Sequence, residues 1–327
     1  MHVLRTPDER FAALADFPFE PKYVEIAAGA GAPDDVRLRV HYIDEGPADA
    51  PPILLMHGEP TWSYLYRHMI PALVAAGHRC VAPDLVGFGR SDKPSETTDY
   101  TYARHVGWMR ETLFDALDLR DVTFFGQDWG SLVGLRLVAL EPDRFARIVI
   151  GNGGMPDGER PLGEAFLAWQ KFSKESPGFV VSQIVNGGTT TDLSAEVLAA
   201  YDAPFPDETY TVAARIMPSL VPTGPDDPAA ADNQAAWRVL DTFDRPFLCA
   251  FSDRDQVTKG GDRVLLRRIP GAAGQPHTTI VGAGHFLQED RGPELAAVID
   301  AFITGSSITG SSVAGSSVAG SSVTSTD

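Results

Sequence analysis

The sequence predicts an α/β fold: a mostly parallel central sheet covered by helices, with an inserted helical cap. Three observations lead there. Short, nearly continuous apolar runs recur along the chain with helical patterns between most of them, as expected of parallel strands buried on both faces. The two earliest strand-like segments instead alternate polar and apolar residues. From about residue 155 to 226 the strand pattern stops and helical stretches broken by Pro, Gly and Thr take over. With 327 residues, 43% of them hydrophobic, the chain can bury a large core.

Tyr23-Val24-Glu25-Ile26 and Val36 to Tyr42 are the alternating segments, and they predict an antiparallel opening to the sheet. The apolar runs follow: Ile53 to Met56, Cys80 to Ala82, Val122 to Phe125, Ile148 to Ile150, Phe247 to Phe251 and Thr279 to Val281. Ser131 to Leu140 reads as a helix directly behind the third of these runs. The predicted organisation is a first core segment 1–154, a helical cap 155–226, a second core segment 227–303 and a Gly/Ser tail 304–327. In the tail a Gly-Ser-Ser-Val/Ile-Ala/Thr unit repeats, a composition expected to be flexible and non-packing.

The formal net charge is −17, from 27 Lys and Arg against 44 Asp and Glu. It opposes nucleic-acid phosphates and anionic membranes, so neither is expected as a partner; a neutral or cationic small ligand fits better. Residues 1–10 have no apolar core of a signal peptide, and no apolar run is long enough to span a bilayer, so a cytoplasmic location is expected. Cys80 and Cys249 each sit in an apolar run, where a buried hydrophobic role is expected and a disulfide or metal site is not.

Gly126-Gln127-Asp128-Trp129-Gly130 joins the strand Val122 to Phe125 to the following helix. A sharp strand-to-helix turn of this kind presents a nucleophile, usually serine, at the N-terminus of a helix whose dipole favours negative charge. Here the residue is Asp128. A serine alkylated at an sp³ carbon would be stranded as an ether, whereas an aspartate forms an ester that water can cleave. An alkylating substrate is therefore implied. Such chemistry needs a histidine to activate water and an acid to orient it, in chain order nucleophile, acid, histidine. Among eight histidines, His285 alone immediately follows a late strand in a glycine-rich turn, Gly282-Ala283-Gly284-His285-Phe286. His2, His68, His78, His105 and His277 have polar or helix-surface settings, His41 lies in an early strand, and His57 is expected to play a structural hydrogen-bonding part. Ser252-Asp253-Arg254-Asp255-Gln256 follows the strand Phe247 to Phe251; spacing does not decide between its two aspartates, and Asp255 is taken as the acid. His57-Gly58-Glu59-Pro60-Thr61-Trp62 follows the strand ending at Met56, so Glu59 would act through its backbone N–H, with the Trp129 N–H as the second oxyanion donor.

Through His57 to Trp62, Gln127 to Gly130 and His285-Phe286-Leu287-Gln288-Glu289, the chain resembles the haloalkane dehalogenases of the α/β-hydrolase superfamily, over roughly residues 20 to 303. Pro83 to Pro94 is also similar but is shared with epoxide hydrolases. The resemblance implies hydrolysis of a small halogenated aliphatic substrate to alcohol, halide and proton through an alkyl-Asp128 ester, with no cofactor and no metal. It also implies two tryptophan indoles for the leaving halide: Trp129, and Trp169 by the likeness of Phe166-Leu167-Ala168-Trp169 to the family's cap element. Indole suits that task because it donates a hydrogen bond and accepts none. Trp62, Trp108 and Trp237 are assigned to core packing, and Phe166 and Phe205 to the pocket wall. The alternative is an epoxide hydrolase with the same triad, whose ring opening needs cap acids; Tyr201 and Tyr210 are the candidates.

Overall fold

The computed structural model describes residues 1–305 apart from Ala30 and Asp34. The predicted Gly/Ser tail beyond residue 305 lies outside the described residues. Among the described residues the strands are, in chain order, β1 (Val3–Leu4), β2 (Lys22–Ala27), β3 (Arg37–Glu45), β4 (Pro52–Met56), β5 (Arg79–Pro83), β6 (Lys93–Pro94), β7 (Val122–Gly126), β8 (Phe145–Ile150), β9 (Phe247–Ser252) and β10 (Thr278–Ile280). The principal helices are α1 (Met69–Ala75), α2 (Tyr102–Arg110), α3 (Trp129–Leu140), α4 (Glu164–Glu175), α5 (Val181–Gly188), α6 (Ala195–Asp202), α7 (Val212–Ile216), α8 (Ala230–Leu240), α9 (Asp262–Arg268) and α10 (Leu287–Thr304).

The main sheet has the order β10-β9-β8-β7-β4-β5-β3-β2. From β5 through β4, β7, β8 and β9 to β10 every pairing is parallel, while β2–β3 and β3–β5 are antiparallel, as the change of hydrophobic pattern predicts. All residues of β4 and β7 are buried, the cause of their unbroken apolar runs; in β2, on the sheet edge, only Ile26 is fully buried. The two-residue pair β1–β6 left no pattern in the sequence.

Strand order turns at β4, with β5 on one side and β7 on the other. The crevice beyond the C-terminal ends of strands at such a reversal is where open α/β sheets bind ligands. The turns after β4 and β7 carry Glu59 and Asp128 to that place. Between β8 and α8 the described residues contain α4 to α7 and no strand, and we take 155–226 as the cap.

Polar contacts fasten the cap to the core. The Trp62 indole donates to Ala200 O at 3.2 Å, and Thr6 Oγ1 donates to Pro204 O at 2.7 Å. The Tyr201 hydroxyl donates to Glu289, whose carboxylate also takes a two-pronged Arg67 guanidinium, with Nη2–Oε2 at 2.8 Å. Arg67 and Glu289 side chains are each only 2% exposed, so each charge depends on the other. Glu289→Ala leaves Arg67 buried and unpaired, and is expected to cost about 3–5 kcal/mol of stability. Tyr201→Phe removes one hydrogen bond and is expected to cost about 1 kcal/mol. Thermal unfolding of both variants checks the order; equal melting temperatures would contradict it.

Candidate active site

Asp128 is the last residue before α3 and adopts φ 49°, ψ −128°. A non-glycine residue in such a conformation costs about 1–3 kcal/mol, so its surroundings must hold it there. They do so through the backbone. Asp128 N–H donates to Asn152 O at 2.9 Å, and the Ser131 N–H and hydroxyl donate to Asp128 O at 2.9 and 2.6 Å. The neighbouring glycines serve close approach and not a positive φ. A Cβ on Gly130 would stand 1.9 Å from Met56 O, and one on Gly58 would stand 2.3 Å from Asp128 Oδ1.

The Glu59 backbone N–H donates to Asp128 Oδ1 at 2.8 Å, and Trp129 N–H is one of the amides at the N-terminus of α3. His285 Nε2 lies 3.6 Å from Asp128 Oδ2, and His285 Nδ1 lies 3.2 Å from Asp255 Oδ2. Asp255 also accepts Val257 N–H at 2.8 Å, Thr258 N–H at 3.2 Å and the Thr258 hydroxyl. Burial pushes its pKa up, but His285 and these donors outweigh that and hold it at about 2. Asp253 points elsewhere: its exposed side chain accepts Gly282 N–H at 2.7 Å. For His285, burial disfavours the imidazolium, yet Asp255 and Asp128 on either side overcome this and raise its pKa to about 10. In the free protein at neutral pH, His285 is a cation between two carboxylates.

Two cavities, of about 430 and 310 Å³, meet at Glu59, Asp128 and Trp169. His285, Phe286, Phe172 and Ile184 line the first; Trp129, Phe166 and Leu132 line the second. The Glu59 side chain is 3% exposed. Burial foremost, then Asp128, drives its pKa well above the ordinary carboxyl range, against the opposing pull of His285 and the Trp169 indole. Sequence alone credits Glu59 with its backbone only. The indoles of Trp62, Trp108 and Trp237 are spent on backbone carbonyls, of Ala200, Ala28 and Met155. Those of Trp129 and Trp169 are not, and both residues line the cavities.

Three assignments need correction. Phe205 lines neither cavity: its ring packs edge-on against Phe88, 6.4 Å between centroids, because the preceding Pro204 is tied to Thr6. Tyr201 and Tyr210, the cap acids an epoxide hydrolase would need, also lie outside both cavities, and the Tyr201 proton is committed to Glu289. His105 is buried against Trp129 and Trp108 rather than lying on a helix surface, since it shares the apolar face of α2 with Tyr102, Val106 and Met109. His57 is structural, its Nδ1–H donating to Gly58 O at 2.9 Å while Nε2 accepts Leu85 N–H at 2.9 Å.

Two functional neighbours escape a reading of the sequence. Asn152, at φ 45°, accepts Asp128 N–H with its backbone carbonyl and donates with Nδ2 to Gly284 O and His285 O at 2.9 and 3.0 Å. Gln127 Nε2 lies 3.1 Å from His285 Nε2. Gln127 belongs to a motif that could have drawn attention to it; Asn152, in Gly151-Asn152-Gly153-Gly154, shows only a turn. Among the described residues no group of three or more His, Cys, Asp or Glu could hold a metal ion, and no helix is long and apolar enough to cross a membrane.

Residues 51–292 match the alpha/beta hydrolase fold family. The chain is 57% identical over 303 residues to a haloalkane dehalogenase of Psychrobacter cryohalolentis, covering 93% of this chain and 98% of that relative. It is 54% identical to one of Mycolicibacterium paratuberculosis, covering 90% and 96% of the two chains. The tetrameric structure of a haloalkane dehalogenase from Paraglaciecola agarilytica NO2 superposes with a TM-score of 0.81 at 37% identity, covering 90% of this chain and 97% of that one. With an aspartate where hydrolases of this fold commonly carry serine, and with likeness over nearly its whole length, the chain belongs to the haloalkane dehalogenases.

Proposed function

We propose that this enzyme hydrolyses small halogenated aliphatic compounds to alcohol, halide and a proton through a covalent ester on Asp128. The observation that carries the reading is the Asp128 carboxylate itself, held on a strained turn where two cavities meet, with His285 Nε2 at 3.6 Å. In the first step an Asp128 oxygen attacks the halogen-bearing carbon in line and the carbon–halogen bond breaks. The halide leaves toward the indole N–H groups of Trp129 and Trp169, in a cavity where such donors count for more than in water. Trp169 is the better placed to follow the substrate, because it borders both cavities.

Alkylation prepares the second step. While Asp128 is charged, it and Asp255 hold His285 protonated. The ester is neutral, so the Asp128 share of that hold disappears, the His285 pKa falls and the imidazolium gives up its proton to solvent, the proton that the overall reaction releases. Neutral His285, with Nδ1 toward Asp255, then takes a proton from a water that attacks the ester carbonyl. The Glu59 and Trp129 backbone N–H groups stabilise the oxyanion; the acyl–oxygen bond then breaks, the leaving alkoxide takes the proton from the His285 imidazolium to become the alcohol, and the new Asp128 carboxyl returns its proton to His285. Asp255 acts on His285 and not on the substrate. The reaction as written needs no cofactor.

If His285 acts only on water, His285→Gln should release about one equivalent of bromide from a short bromoalkane and gain the mass of the alkyl group, while Asp128→Ala does neither. Intact-protein mass spectrometry reads this directly, and an unmodified His285→Gln protein after bromide release would contradict the ester. Asp128→Asn mimics the neutral ester in charge. It should lower the His285 pKa from about 10, by about 1 to 3 pH units. An imidazole NMR titration that finds the same value in both proteins would show that Asp128 does not control the base.

A further inference from the structure

Glu59 presents an oxygen that the mechanism above does not use. Its side chain is 3% exposed, borders both cavities beside Asp128 and Trp169, and its Oε1 has no hydrogen-bond partner in the protein. A carboxylate buried with an unpaired oxygen next to another carboxylate would be strongly destabilised; a neutral acid is tolerated and carries a proton to give away. The charged groups acting on it are Asp128, on the turn before α3, and His285, on the turn before α10. From α4 the Trp169 indole bears on the same carboxyl as an uncharged donor. His57, two residues upstream, is held neutral by burial and has both ring nitrogens engaged.

We propose that the Glu59 side chain, as the neutral acid, is a third hydrogen-bond donor to the leaving halide, beside the indoles of Trp129 and Trp169. This rests on the halide site of the proposed function and adds a residue that touches the leaving group. Trp169 and Glu59 line the same two cavities. A halide between them takes the Trp169 N–H and the Glu59 proton together, and desolvating an anion there is then offset by three donors instead of two. Ionised Glu59 would repel the same anion. Halide binding is thereby coupled to protonation of Glu59: affinity is full below the Glu59 pKa of the free protein and is lost as pH rises through it.

Bromide titration of the intrinsic tryptophan fluorescence, from neutral to alkaline pH, tests this on the full chain. Wild-type affinity should fall about tenfold per pH unit above the transition. Glu59→Gln keeps a donor of the same shape that cannot ionise, so its affinity should stay within a few-fold of the neutral-pH wild-type value and be flat with pH. Glu59→Met keeps the backbone N–H and the bulk but no donor, so its affinity should be lower by about tenfold or more. Glu59→Gln with the wild-type pH dependence would assign the transition to His285 and overturn the proposal, as would Glu59→Met binding bromide as tightly as wild type. Bromide binding absent from all three proteins at every pH would fail the halide site beneath it.

Discussion

A carboxylate can stand charged at the base of an apolar cavity only if the protein supplies the donors that water would have given it. That constraint orders much of the molecule around Asp128. Its side chain needs the Glu59 N–H at 2.8 Å, which requires the turn after β4 to press against the turn after β7. Glycine at 58 and 130 permits that approach, since a side chain at either would strike Asp128 or the Met56 carbonyl. The strained backbone is held in turn by Asn152 and Ser131, so the end of β8 is recruited as well. Charge at one atom thus fixes the relative placement of three strand ends.

The same logic joins the histidine to the cap. His285 N–H donates to Gly188 O at 2.7 Å at the end of α5. Asp290, five residues later, accepts Gly284 N–H at 2.8 Å and the N–H groups of Thr190 and Thr191 at 2.9 to 3.0 Å. With the Arg67–Glu289–Tyr201 cluster on the neighbouring residue, the segment after His285 is a seam between cap and core. His285, the base of the proposed reaction, and the cap segment at the end of α5 are therefore positioned by one set of contacts. A change in cap packing at Gly188 would be felt at the imidazole.

The sheet was legible because burial on both faces leaves an unbroken apolar run, and β4, β7 and β9 are of that kind. Asp128 and His285 were legible because strand-end turns rich in glycine flank them. Asp255 was separable from Asp253 only in three dimensions: two residues apart at the end of β9, one faces His285 and the other the solvent-side Gly282 amide. Asn152 could not be read because its partners are distant in sequence and its positive φ leaves no mark on a non-glycine residue. Phe205 was misplaced because an aromatic beside prolines in a cap looks the same whether it faces substrate or Phe88. His105 shares a helical spacing with Tyr102, Val106 and Met109, so the apolar face of α2 takes its ring into the core. The motif accounts for the Glu59 backbone N–H and leaves its carboxyl without a sequence signal.

Oxygen labelling in a single turnover tests the ester most directly. With enzyme in excess over a short bromoalkane in H₂¹⁸O, water attacking the ester carbonyl leaves the alkyl–oxygen bond intact. The first alcohol formed should then carry ordinary oxygen, and the label should appear in the Asp128 carboxylate, read by mass spectrometry of the peptide that contains it. Alcohol carrying ¹⁸O, with Asp128 unlabelled, would mean that water attacks carbon directly and that Asp128 is not the nucleophile.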